Sequence, residues 1–99
     1  PRKISKFFPD NFVLSTVQIE GWSGVENGEL LRLAASRNFD ALISADKNIS
    51  YQQNETTLPI SVVVLYVFHL RIDDLSPLIP KAIAELKQIS SPALIRIGA

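Results

Sequence analysis

From Ile60 to Phe68 the chain is apolar at every position except Ser61, and it is rich in β-branched residues. A strand with one wet face would alternate apolar and polar residues. A continuous run suits a strand buried on both faces, as in a parallel sheet with helices packed on either side. A fold built on such a strand needs two covering layers, and the rest of the chain has to supply them.

The flanking segments have the periodicities this requires. Leu30, Leu31, Leu33 and Ala34 fall on one face of a helix, with Arg32 and Arg37 toward solvent, Asn27 as its cap and Asn38 as its stop. Ala41 to Ser44 reads as a second strand, and Lys47 to Gln53 as a helical turn followed by a polar loop from Asn54 to Thr57. Leu75, Leu78, Ile79, Ala82, Ile83, Leu86 and Ile89 keep helical spacing. Pro77 and Pro80 then belong in the first turn of that helix, where a missing donor costs least, and Asp74 or Ser76 can cap it. Ser90-Ser91-Pro92 breaks the helix before a short strand from Ala93 to Ile97.

Toward the front, Phe12 to Val17 is rich in β-formers and reads as another strand, with a loop from Ile19 to Val25. Pro1 to Phe8 reads as a short helix terminated by Pro9-Asp10-Asn11. Strands separated by helices imply a single α/β domain over residues 1–99 with a mainly parallel sheet. The first helix has no strand before it, so either the fold starts on a helix or a strand is missing.

Composition narrows the function classes. Ten basic residues balance ten acidic ones, so any nucleic-acid surface must be local. There is no cysteine, which excludes a disulfide framework and thiolate metal sites and fits a cytoplasmic protein. The run Val62 to Phe68 is too short to span a bilayer, and no secretory signal opens the chain. The chain has no methionine and begins with proline, which fits a cleaved, trimmed or truncated start.

Ligands of open α/β sheets collect at the carboxyl ends of the strands. The segment Phe39 to Gln53 delivers Asp46 there, directly after an apolar strand, and Asp46 is the first candidate site residue. A turn or cap aspartate is the structural alternative. Glu29, in the first turn of its helix, is the second, with interaction with the helix dipole as its alternative. A helix antiparallel to the strand it feeds begins near that strand's carboxyl end, which brings Glu29 and Asp46 to one edge of the sheet. Paired carboxylates of this kind suit Mg2+ or Mn2+ and metal-assisted hydrolysis of a phosphodiester. Lys47, Asn48 and Gln52, with Gln53, are candidates for phosphate or ribose contacts, or a solvated face. Asp73-Asp74 reads as a cap, Asp40 lies at the opposite edge, His69 lacks a partner at ligand spacing, and Trp22 reads as a loop anchor.

The runs Gly21 to Leu31, Phe39-Asp40 through Asn48, and Tyr51-Gln52-Gln53-Asn54 together resemble a bacterial family of small PIN-like proteins of unknown function, related to toxins of VapC type. The similarity covers essentially the whole chain. It implies a three-layer PIN-like α/β fold with a mainly parallel central sheet. It also implies a magnesium- or manganese-dependent endoribonuclease of toxin–antitoxin type, with Asp46 and Glu29 as catalytic and metal-ligating acids. Members of the family begin with a central strand ending in an acidic pair, just before the proline that corresponds to Pro1. That N-terminal strand is absent from this chain, which accounts for the orphan helix and implies an inactive or weakened site. That strand would have to come from the upstream chain, from a partner, or from a rearranged or swapped subunit in a homo-oligomer formed through unpaired strand edges. The competing function is a non-catalytic PIN-like module that binds an antitoxin-like protein or RNA.

Overall fold

The computed structural model describes residue 8 and residues 12–49, 53–54 and 56–98. In chain order the elements are α1 (Val17–Glu20), α2 (Asn27–Ser36), β1 (Ala41–Ser44), β2 (Ser61–Leu65), α3 (Ile72–Leu75), a 3-10 turn (Ser76–Leu78), α4 (Ile79–Gln88) and β3 (Leu94–Ile97). The three strands form a parallel sheet in the order β1-β2-β3. Ala41 pairs with Ser61 on one side of β2, and Val62 with Leu94 on the other.

β2 is the buried axis of the molecule, since all five of its residues are buried. Its side chains alternate between two apolar clusters, as the twofold period of a strand dictates. Val63 and Leu65 join Leu75, Ile79, Ala82, Ile95 and Ile97 on one face. Val62 and Val64 join Leu31, Ala34, Ile49, Leu58 and Ile60 on the other. Helix α4 therefore covers one face and α2 the opposite one, as the unbroken apolar run requires. Val62, Val63 and Val64 are each wholly inaccessible, and burying a side chain of this kind contributes roughly 1.5–3 kcal/mol.

Ser61, the polar exception in the run, is buried with its hydroxyl accepting a hydrogen bond from the Ala93 amide at 3.2 Å. Its own amide donates to the Asp40 carbonyl at 3.2 Å. The residue thus ties the chain entering β3 to the start of β2, while its backbone serves β1.

Several expectations are corrected. Phe12 to Val17 is not a strand: residues 12–16 are irregular, and Val17–Glu20 is the short helix α1. Thr16 caps α1 by accepting from the Ile19 amide at 3.0 Å, and Gly21 ends it with φ +79°, a left-handed conformation that suits glycine. β-propensity needs a neighbouring strand to pair with, and among the described residues this segment has none. Helix α2 starts at Asn27 itself, so Glu26 stands at the cap position with no side-chain bond. Asp74 and Ser76 do not cap the long helix. That helix is divided into α3, the 3-10 turn and α4, with Pro77 and Pro80 each in the first turn of its piece. β2 ends at Leu65 rather than continuing to Phe68, and Phe68 is fully exposed. The expected helix at residues 1–8 and its terminator at 9–11 lie outside the described residues apart from Phe8, and so do Tyr51 and Gln52. Among the described residues no helix is long and apolar enough to cross a membrane.

Candidate functional site at the carboxyl ends of the strands

The chain leaves β1 through Ala45 and Asp46 and turns sharply. The Ser44 hydroxyl accepts from the Asp46 amide at 3.0 Å, and the Asp46 Oδ1 accepts from the Asn48 amide at 3.0 Å. The Ile49 amide closes on the Asp46 carbonyl at 3.3 Å, and the Ile49 side chain is wholly buried against the α2 side of the sheet. A buried anchor at one end and a strand at the other hold the aspartate turn in place. The Asp46 side chain is exposed at the edge of the sheet.

The start of α2 reaches the same edge. Asn27 Nδ2 lies 3.5 Å from Asp46 Oδ2, at the outer limit of a hydrogen bond. A Cβ built on Gly28 would come within 3.9 Å of both Gln53 Nε2 and Arg32 Nη1, so Gln53 also stands beside this helix end. Lys47 Nζ sits 5.5 Å from the centroid of the Tyr66 ring, within reach of a cation–π contact. Tyr66 directly follows β2, and its amide donates to the Ile97 carbonyl at 2.9 Å. The ends of β1, β2 and β3 therefore meet around Asp46, Lys47, Tyr66 and Gly98.

The structure brings Asp46, Asn27, Lys47 and Asn48 together. Glu29 takes a different partner: its Oε2 accepts from Arg32 at 2.9 and 3.1 Å, one turn along the same helix and largely in solvent. No hydrogen bond links it to Asp46. Among the described residues there is no group of three or more histidine, cysteine or acidic side chains placed to hold a metal ion. Gln52 lies outside the described residues.

Of the remaining candidates, Asp73 and Asp74 do not cap their helix, whose cap position is Arg71, and the others fall where their structural readings put them. Asp74 accepts from Arg71 at 2.9 Å in the first turn of α3, and Asp73 shares that turn. Asp40 precedes β1 at the opposite end of the sheet. Trp22 packs edge-on against Phe39 at 6.1 Å and anchors its loop to the α2-side cluster. His69 is exposed beyond β2. Tyr66 was the residue sequence reasoning missed; its one available signal was its position immediately after the buried strand, where a side chain enters the ligand-bearing edge.

No family model, no curated protein and no solved structure matches the chain.

Proposed function

We propose that this is a cytoplasmic PIN-like domain with a three-layer fold whose C-terminal sheet edge, centred on Asp46, acts on the phosphodiester backbone of RNA as a metal-dependent endoribonuclease of toxin–antitoxin type. The observation supporting it is the meeting of an exposed carboxylate at the end of β1 with Asn27 at the start of α2 and Lys47 beside it. Asp46 suits one Mg2+ or Mn2+ ion as a single carboxylate ligand: its Oδ2 meets Asn27 only at the edge of hydrogen-bond range, and these ions keep several waters. Glu29 joins it only by leaving Arg32. Such an ion, when bound, supplies Lewis-acid polarisation of phosphate and a more acidic water. Asn27 orients the Asp46 carboxylate, the Asn48 amide fixes its other oxygen, and Lys47 offers a positive charge to a phosphate. With Glu29 paired to Arg32 rather than turned to Asp46, cleavage by this chain alone is expected to be weak.

A second reading has its own support. Asp46 Oδ1 is held by a backbone amide and Glu29 by Arg32, so both carboxylates are already engaged in local structure. That favours a non-catalytic module binding RNA or an antitoxin-like protein. The two readings separate in one experiment: titrate Mn2+ by electron paramagnetic resonance and follow RNA cleavage, for the parent chain and Asp46→Asn. Metal binding and cleavage that both fall in the variant support the nuclease. RNA binding with no cleavage, unchanged by Asp46→Asn, supports the module and ends the nuclease reading.

A further inference from the structure

The backbone gives Gly28 no conformational need to be glycine. It sits in the first turn of α2 with φ outside the left-handed region. A Cβ there would meet its nearest neighbours at 3.9 Å, an ordinary van der Waals distance. Glycine is also the poorest helix former after proline. The residue before it is Asn27, and Asn27-Gly28 is the one asparagine–glycine pair in the chain. Asn11, Asn38, Asn48 and Asn54 are followed by phenylalanine, isoleucine or glutamate.

An asparagine carboxamide is a thermolabile group, and its reaction requires the following backbone nitrogen to reach Cγ. A side chain on that following residue obstructs the approach, whereas glycine permits it. Two features leave the Gly28 nitrogen available. Its amide is one of the four orphan donors at the start of a helix, and among the described residues no hydrogen bond engages it. Glu26, at the cap position, makes no side-chain bond that would fasten the turn. Helix ends open locally at little cost, and opening releases the backbone of Asn27 from its helical angles. The contact of the Asn27 carboxamide with Asp46, at 3.5 Å, lies at the outer limit of a hydrogen bond and restrains it weakly.

We propose that Asn27-Gly28 is a self-modification site, where deamidation replaces the amide facing Asp46 with a carboxylate. The Gly28 nitrogen attacks Asn27 Cγ and closes a five-membered imide, and Nδ2 leaves as ammonia with the Gly28 amide proton. Water then opens the imide. Cleavage of its Cγ–N bond yields aspartate. Cleavage of the bond to the Asn27 backbone carbonyl yields isoaspartate, whose main chain runs through Cγ. One water is consumed and one ammonia released, with no oxidant or cofactor. The aspartyl product suits the first turn of a helix, where a carboxylate meets the positive end of the dipole. It cannot donate to Asp46 and repels it instead, so the tie between α2 and the turn after β1 is lost as the molecule ages. The modification is independent of any reaction at Asp46.

The test incubates the full chain at neutral pH without denaturant and maps its proteolytic peptides by mass spectrometry with electron-transfer fragmentation. Asn27 should gain the mass difference between water and ammonia, in aspartyl and isoaspartyl forms, roughly tenfold or more faster than Asn38, Asn48 or Asn54. Gly28→Ala, whose Cβ finds room, should keep the fold and slow the gain at Asn27 by about fivefold or more. Asn27→Asp copies the aspartyl product. In that variant, exchange of the Asn48 amide, held by the other oxygen of Asp46, should accelerate by roughly threefold or more. Modification confined to the urea-unfolded chain, a gain at Asn27 no faster than at the other asparagines, or an equal rate in Gly28→Ala overturns the site. Unchanged Asn48 exchange in Asn27→Asp overturns its effect on Asp46.

Discussion

The Ser61 hydroxyl accepts a hydrogen bond from the Ala93 amide at 3.2 Å, across a separation of 32 residues and within the buried strand β2. It stitches the chain entering β3 to the centre of the sheet just before the ladder takes over, where the Val62 amide donates to the Ala93 carbonyl at 2.9 Å. Both backbone groups of Ala93 thus find partners on β2.

Ser61→Ala removes the acceptor and leaves the Ala93 amide unsatisfied in a part-buried position. The expected cost is about 1–2 kcal/mol. Urea denaturation should show a lower midpoint with an unchanged slope. An unchanged midpoint would mean that the Ala93 amide finds water instead.

Gly98 carries φ +84°, and a Cβ added there would lie 2.9 Å from the Tyr66 carbonyl oxygen and 3.3 Å from Leu78 Cδ1. The contact with Leu78 can relax by a side-chain shift, but the contact with a backbone oxygen cannot do so cheaply. Gly98→Ala therefore combines left-handed strain with a close backbone contact, and should destabilise by roughly 1–3 kcal/mol. Thermal unfolding would register it as a clear fall in Tm. A neutral result would show that the end of β3 can move away from Tyr66.

Glu29 and Arg32 form an ion pair whose side chains are 53% and 67% exposed. Solvent screening reduces such a pair to a few tenths of a kcal/mol. Glu29→Gln should leave the unfolding midpoint nearly unchanged. The same variant measures the role of Glu29 at the sheet edge: if Glu29 is a ligand, Mn2+ affinity falls although stability does not.

The parts of the fold set by continuous burial were readable without coordinates. Val62 to Leu65 had to be a doubly covered strand, and the spacing of Leu30, Leu31 and Ala34 supplied one covering helix, with Ile79 and Ala82 supplying part of the other. Residues 12–17 were not readable in the same way, because a strand pattern becomes a strand only when a neighbour offers hydrogen bonds. The division of the last helix was visible as Pro77 and Pro80, yet the spacing of its apolar residues runs through the 3-10 turn undisturbed. At the sheet edge the position of Asp46 followed from β1. The diversion of Glu29 to Arg32 depended on rotamer choice within one helix face, and the contact of Lys47 with Tyr66 on strand register, so neither was visible in sequence.

Asp46 is the residue where structural and functional roles separate by substitution. Its Oδ1 holds the turn through the Asn48 amide, and an asparagine side chain offers the same acceptor without the charge. Asp46→Asn should therefore keep stability within about 0.5 kcal/mol, whereas Asp46→Ala loses the turn bond and should cost about 1 kcal/mol. The Asn48 amide reports directly on the turn: its hydrogen exchange should stay slow in Asp46→Asn and accelerate in Asp46→Ala. If both variants lose metal binding while only Asp46→Ala loosens the turn, the carboxylate charge serves the ion and the oxygen serves the fold. If Asp46→Asn retains metal binding and differs from the parent in nothing measured, the aspartate is a turn residue and the site has to be sought elsewhere.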